Sequence, residues 1–185
     1  MAERFRIAVY NAISSRGLER LSQPAYAVGK GVAEPERVVD IGRSTHGEGF
    51  DTVSYATFQD VRDRTTAFAG VYASRLEPRA ISLGGPDGGE RIYGQQVSAN
   101  YFDVLGVRPA LGGFFHGADE RLGVPLRRVV LADAFWRHRF NADPGIIGRE
   151  IVLNGDRFAV GGVVPAEFTG NSLLAVDLWL PMTAY

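Results

Sequence analysis

The stretch QQVSANYFDVLGVRPALGGFF, residues 95–115, indicates most about this chain. It holds four aromatic residues, Tyr101, Phe102, Phe114 and Phe115, among aliphatic ones, around a Gly-x-x-Pro turn and a Gly-Gly pair. It contains no nucleophile beside a base, no metal-ligand spacing and no phosphate-binding loop. Bulky apolar side chains around glycine turns are typical of a packing element, so the stretch indicates a structural role and not catalysis.

The overall composition is that of an ordinary globular protein. The chain has 185 residues, 45% hydrophobic and 22% charged, which suits one domain or two small lobes. A chain of this size buries roughly 70% of its unfolded surface. Twenty basic residues balance twenty-one acidic ones, which argues against a nucleic-acid partner. No window approaches the ~20 apolar residues of a membrane span, so we expect the isolated chain to be soluble.

The absence of cysteine narrows the chemistry further. It excludes disulfides, thiol catalysis and zinc sites of the cysteine type. It does not choose a cellular compartment, because many bacterial extracytoplasmic domains have no disulfides.

Helical spacing and capping residues predict three short helices after an uncertain leader. The first is predicted to run to about residue 65 after a Ser54 or Thr52 cap, the second over 99–105 after Ser98, and the third over 134–140 after Asp133. Residues 1–33 are interpreted as a leader or linker of uncertain order, with a short helix over 3–21. The ordered domain is expected over 34–185.

The predicted strands are short and include two hairpins. They cover residues 37–43, 68–75, 79–83, 90–97, 128–131, 150–153, 157–164 and 177–181, with a loop at 46–51. The GGPDGG segment at 84–89 predicts one reversal, and Asn154-Gly155 predicts a type I′ turn, in which both central residues have positive φ. Since no βαβ rhythm repeats, we predict an α+β fold, with mixed and antiparallel sheets of short strands, hairpins and a few short helices.

Two segments could carry chemistry. His116, Asp119 and Glu120 (HGADE) have the residue types of a metal or acid/base cluster, and one hypothesis is a free-standing metal-assisted hydrolase. Their spacing lies in a glycine-containing loop and lacks the helical HExxH arrangement. Phe135 and Trp136 could line the pocket of a ligand-binding module, although core packing is favoured. We therefore predict no catalytic, cofactor-binding or metal-binding residues.

Several segments together resemble the MacB-like periplasmic core domain of FtsX-type ABC transporter permeases. The resemblance is strongest to the large permease branch abundant in acidobacteria. The segments are EPERVVDIGR (34–43), FDTVSYATFQDVRDRTTAFAGV (50–71), residues 95–115, VVLADAFWRHRF (129–140), DPGIIGREIVLNGDRFAVGGVVPAEF (143–168) and DLWLP (177–181). Their order and spacing make the resemblance specific, whereas any one of them alone is a weak signal.

The resemblance implies a noncatalytic domain on the extracytoplasmic, periplasmic face of the bacterial inner membrane. Such a domain would couple cytoplasmic ATP hydrolysis to substrate export or to mechanical work outside the membrane. Its implied partners are the permease's membrane helices, a cytoplasmic ATP-binding subunit or domain and a second permease copy. It implies no nucleic acid, cofactor or metal.

The chain departs from the family pattern in two ways. The family usually has an arginine where this chain has Gly113. The family domain also usually follows a membrane helix and continues into a second half beyond DLWLP, so we expect this chain to lack the C-terminal half and to leave apolar surface uncovered.

Overall fold

The computed structural model describes residues 5–10, 38–45, 48–51, 54–66, 68–84, 89–121, 123–171 and 174–185. The strands in these ranges are β1 Phe5–Tyr10, β2 Val38–Thr45, β3 Glu48–Asp51, β4 Phe68–Tyr72, β5 Arg79–Leu83, β6 Glu90–Val97, β7 Leu111–Gly112, β8 Arg128–Leu131, β9 Glu150–Leu153, β10 Asp156–Val163 and β11 Leu178–Pro181. The α-helices are α1 Tyr55–Arg64, α2 Tyr101–Leu105 and α3 Asp133–Phe140, and short 3-10 turns cover Gly117–Asp119 and Pro144–Ile146.

Strands β5 to β11 form a mixed sheet that closes on itself. Its order is β7-β10-β8-β11-β6-β5-β9, and β9 also pairs with β10, so six of the strands make a small barrel with β7 added beside β9. The pairs β10–β8 and β11–β6 are parallel, while β8–β11, β5–β6 and β9–β10 are antiparallel. The ring closes where Leu83 lies opposite Leu153, with flanking backbone hydrogen bonds from Gly84 to Val152 at 2.8 Å and from Asn154 to Ser82 at 2.9 Å. A closed ring removes the exposed sheet edges that favour aggregation.

The two faces of β11 are both covered. On one face, Leu178 and Leu180 approach Gly94 of β6, which also contacts Ile81 of β5. On the other face Trp179 packs against aromatic rings from α2 and from the segment after β10. Every residue of β11 is buried. This explains why the strand is a continuous apolar run and does not alternate.

A second, four-stranded sheet has the order β3-β2-β1-β4. Strand β1 pairs in parallel with both β2 and β4, and β3 pairs antiparallel with β2. Helix α1 connects β3 to β4 and packs on β4 through Phe58, which meets Val71 and Ala73. Together the two sheets confirm the α+β class with mixed and antiparallel short strands.

The local predictions that depend on turn and cap chemistry are confirmed. Asn154 and Gly155 have φ values of 50° and 91°, as a type I′ turn requires. Ser54 caps α1, with its side chain accepting the backbone N–H of Thr57 at 3.2 Å. Helix α2 ends at Gly106, whose φ of 69° lies in the left-handed region.

Other local predictions are wrong, each for a tertiary reason. Residues 5–10 form strand β1 and not a helix, because β2 and β4 pair with both of its edges. Residues 48–51 of the predicted loop form β3. Ser98 and Asp133 do not cap helices, because Ser98 binds Ala73, the residue after β4, and Asp133 is the first residue of α3, where it pairs with Arg137 at 2.7 Å. Residues 85–88 of the predicted reversal, residues 11–21 of the predicted helix and Thr52 lie outside the described residues.

Candidate functional site between the barrel and the four-stranded sheet

Residues 98–100, between β6 and α2, join the barrel to the four-stranded sheet. The hydroxyl of Ser98 accepts the N–H of Ala73 at 2.9 Å, and the backbone N–H of Ser98 donates to the carbonyl of Ala73 at 2.7 Å. The side-chain amide of Asn100 donates to the carbonyl of Val71 at 2.8 Å, and its oxygen accepts from Ser98 at 2.7 Å. We call this set the Ser98–Asn100 joint.

The Ser98–Asn100 joint continues the hydrogen bonding of the small sheet at β4. The β4 strand pairs with β1, and residues 98–100 satisfy further backbone groups at Val71 and Ala73. Ser98 is completely buried. Buried backbone groups need partners, so residues 98–100 of this stretch act in place of a neighbouring strand.

The aromatic side chains of the same stretch pack as the sequence predicted. Phe102 is fully buried and stacks on Phe114 with ring centroids 4.2 Å apart. It also contacts Tyr101 at 5.1 Å, Phe115 at 5.5 Å and Trp179 at 5.9 Å between centroids. Each such aromatic pair adds about 0.5–1.5 kcal/mol beyond the area it buries. The cluster therefore attaches α2 firmly to the outer face of the barrel.

The two glycines of the Gly-Gly pair differ in the space around them: a side chain would clash at Gly112 and would be accommodated at Gly113. Gly112 has a φ of 68°, and a Cβ placed there would overlap the carbonyl oxygen of Gly161 and lie 2.8 Å from Cδ1 of Ile147. Gly113 donates its N–H to that same carbonyl at 2.9 Å, but a Cβ on Gly113 would have no neighbour within 4 Å. The backbone therefore leaves room for the arginine that the family usually carries at position 113.

A second connection links α1 to the barrel through Glu120. The hydroxyl of Tyr55 donates to the Glu120 carboxylate, and the hydroxyl of Thr183 donates to the same oxygen at 3.3 Å. Nη1 of Arg62 lies 3.9 Å from the other oxygen, and the Glu120 side chain is only 9% exposed. We call this set the Glu120 contact.

The pKa values of Tyr55 and Arg62 keep both side chains protonated beside Glu120. Burial, followed by the hydrogen bond to Glu120, raises the pKa of the Tyr55 hydroxyl far above its usual value. The hydrogen bond to Asp63 is the main cause that raises the pKa of Arg62. Tyr55 is therefore a neutral donor and Arg62 a cation at any physiological pH.

The structure does not bring His116, Asp119 and Glu120 together. The His116 ring binds Asp103 at 2.8 Å, with both side chains about half exposed. Asp119 accepts the backbone N–H of His116 at 2.9 Å, while Glu120 extends the other way, toward α1. Among the residues that the structure describes, no three His, Cys, Asp or Glu side chains form a group that could hold a metal ion. The geometry gives no support to the hydrolase hypothesis.

The candidate pocket residues on α3 are structural. Phe135 is buried in the main core and meets Phe140 edge to face at 5.6 Å between centroids. Trp136 lies at the edge of that core, and its indole N–H donates to the carbonyl of Asp143 at 2.9 Å. Both side chains therefore pack α3 onto the barrel, as the packing interpretation predicts.

Comparison with known proteins identifies the family. The profile of the MacB-like periplasmic core domain matches residues 15–185. The chain belongs to this family. No curated protein matches the sequence. The predicted family and fold class are thereby confirmed, while the acidobacterial branch and the missing C-terminal half stay predictions.

Two solved structures share the fold of this MacB-like domain. One is the periplasmic region of MacB from Actinobacillus actinomycetemcomitans, with a TM-score of 0.54 and 16% identity over 77% of this chain. The other is the extracellular domain of the noncanonic ABC-type transporter YknZ from Gram-positive bacteria, with a TM-score of 0.53 and 16% identity over 70% of this chain. The alignments cover 63% and 62% of those chains. At this identity the likeness shows the fold.

Proposed function

We propose that this chain is a noncatalytic extracytoplasmic domain of an ABC transporter permease. In this role it couples cytoplasmic ATP hydrolysis to substrate export or to mechanical work outside the membrane. The observation that carries the proposal is the match to the MacB-like periplasmic core domain over residues 15–185. The partners we propose are the membrane helices of the permease, a cytoplasmic ATP-binding subunit or domain, and a second permease copy.

The connection between the barrel and the four-stranded sheet supports a role in transmitting movement from one to the other. The barrel and the four-stranded sheet each have hydrogen-bonded strands, and the Ser98–Asn100 joint connects them through buried polar contacts. Close-packed bodies move between discrete arrangements and do not deform continuously, so displacement at one end reaches the other. We propose that the domain covers residues 34–185, to which β1 adds residues 5–10 of the preceding segment.

No helix in the described ranges has the length and hydropathy to cross a membrane. The proposed location is tested in cells that produce a permease carrying this domain. Because these 185 residues contain no cysteine, Ala134→Cys on the exposed side of α3 gives the domain one reporter thiol, to be compared with the same permease without the substitution. In cells with a permeabilised outer membrane, a membrane-impermeant maleimide should label it without lysis.

A cysteine in the ATP-binding subunit serves as the cytoplasmic control and should be labelled only after lysis. Labelling of residue 134 only after lysis would overturn the proposed location. Coupling is tested in the same assembly by Asn100→Ala, which breaks the joint to Val71. We expect the variant to hydrolyse ATP with reduced transport; unchanged transport in a folded variant would argue against coupling through this joint.

The hydrolase hypothesis is tested separately on the chain itself. Calorimetric titration with Zn²⁺ and Mn²⁺ should show no tight binding, because His116 and Glu120 face different neighbours. Tight binding that disappears in His116→Ala would contradict the noncatalytic proposal.

A further inference from the structure

Helix α1 belongs to a different apolar cluster from the barrel. Within the described residues, the buried apolar side chains form a main core, which covers the barrel and α2, and a small cluster of Phe58, Val71 and Ala73. Phe58 is the buried side chain of α1. Met182, which follows β11, also packs against this small cluster. Among the residues that the structure describes, the apolar contacts of α1 therefore lie in the small cluster and not in the main core.

Strand β4, by contrast, is attached to the barrel on several sides. Tyr72 is part of the main core and meets Tyr101 edge to face at 5.0 Å between centroids. Gly70 lies so close to Val104 of α2 that an added Cβ would be 2.9 Å from it. The Ser98–Asn100 joint adds buried hydrogen bonds. Movement of β4 away from the barrel would disrupt the main core, whereas movement of α1 would not.

Within the described ranges, the Glu120 contact is a polar link between α1 and the barrel region. Its carboxylate is nearly buried, and removing a charge from water is costly unless a partner compensates for it. The nearest cation, Arg62, is 3.9 Å away and donates to Asp63 at 2.7 Å, so two neutral hydroxyl groups provide the direct hydrogen bonds. Release of α1 would return the carboxylate to water and expose the small cluster, together with the partly buried Tyr55, Val61, Phe68 and Met182 that pack against it. Release therefore leaves the main core buried, and the hydration that the carboxylate regains offsets part of the cost of exposing the small cluster.

We infer that α1 undocks from the barrel as a unit, with the Glu120 contact as its fastening, while the barrel and the Ser98–Asn100 joint stay folded. The small cluster of Phe58, Val71 and Ala73 is the surface that this movement uncovers. The device is a property of the chain alone and does not depend on the proposed transport function.

Native-state hydrogen exchange on the complete chain, followed by mass spectrometry, tests the inference. In the wild-type protein, the amides of α1 should exchange through an opening of lower free energy than those of β8 and β10. Glu120→Ala should accelerate exchange in α1 by about tenfold or more while β8 and β10 change by less than about twofold. Tyr55→Phe, which removes one donor to Glu120, should produce a smaller acceleration confined to the same helix.

Two matched variants separate the fastening from general destabilisation. Glu120→Gln keeps an acceptor oxygen for Tyr55 and should stay within about threefold of the wild-type exchange rate in α1. Glu167→Ala removes an exposed carboxylate elsewhere and should change nothing. Equal acceleration of α1, β8 and β10 in Glu120→Ala would overturn the inference, and so would unchanged exchange in α1. If Glu120→Ala does not fold, the inference is tested by Tyr55→Phe and by the wild-type exchange rates of α1 against those of β8 and β10.

Discussion

The two neighbouring glycines of the Leu111–Phe115 segment should respond very differently to alanine. At Gly112, an alanine must adopt a φ of 68°, which costs about 1–2 kcal/mol for an L-residue. Its Cβ would also overlap the carbonyl oxygen of Gly161. Relief of that overlap moves β7 away from β10 and loosens the hydrogen bonds from Ala110 to Val163 and from Gly113 to Gly161. Each of these contributes about 1 kcal/mol, so we expect Gly112→Ala to lower the free energy of unfolding by about 2–4 kcal/mol.

Gly113→Ala is the matched control. Its Cβ meets no atom within 4 Å, and its φ lies outside the left-handed region. Replacement of a glycine at a compatible position stabilises by about 0.4–1 kcal/mol, because the unfolded chain loses conformational freedom. Gly113→Arg, which introduces the family's usual residue, should likewise fold without loss.

Urea unfolding followed by tryptophan fluorescence measures both effects. Trp179 is 1% exposed and reports on the barrel and the Phe102 cluster. With an m value of about 2 kcal/mol per molar urea, Gly112→Ala should lower the midpoint by about 1–2 M, and Gly113→Ala should leave it equal or slightly higher. Equal midpoints for the two variants would refute the argument that β7 packs against β10 as described.

Three further substitutions test other parts of the structure. Phe102→Ala should cost about 3–5 kcal/mol in the same urea assay, because the ring lies at the centre of the aromatic cluster, and a loss below about 1 kcal/mol would contradict that position. Asn100→Ala should cost about 1–3 kcal/mol and accelerate amide exchange in β4, since it removes the side-chain donor to the Val71 carbonyl and the acceptor of the Ser98 hydroxyl, and unchanged exchange would argue against the joint. The raised pKa of Tyr55 makes its stabilising effect complete below its usual pKa near 10 and progressively lost above it, at up to about 1.4 kcal/mol per pH unit. Tyr55→Phe should therefore flatten the fall of unfolding free energy between about pH 10 and 11 in urea titrations, and an identical slope would contradict the assignment.

Features with a local cause were the predictable part of this fold. The Asn154-Gly155 turn needs two residues that tolerate positive φ, and α1 begins after a serine that can accept a backbone N–H. The strands from residue 79 to 97 alternate in the way a half-buried hairpin requires. In each case the chemistry that determines the element lies within a few residues.

Features that depend on distant pairing were not predictable in this way. The β7 strand has only two residues, and it is a strand because it pairs antiparallel with β10. The barrel closes where residues 82–84 pair with residues 152–154, and no pattern near either segment indicates it. Glu120 shares a short segment with His116, which suggested a common site. Its actual partners Tyr55 and Thr183 lie 65 and 63 residues away along the chain.

The α+β class, the family and the packing character of residues 95–115 could be predicted from the amino-acid sequence, because they depend on apolar patterning, turn residues and the order of segments along the chain. Only the folded chain shows that Ser98 binds Ala73, that Asn100 binds Val71 of β4, and that Glu120 accepts a hydrogen bond from Tyr55 of α1. These contacts join residues that only the folded backbone brings within hydrogen-bond distance, and a buried polar group takes whichever partner that backbone provides.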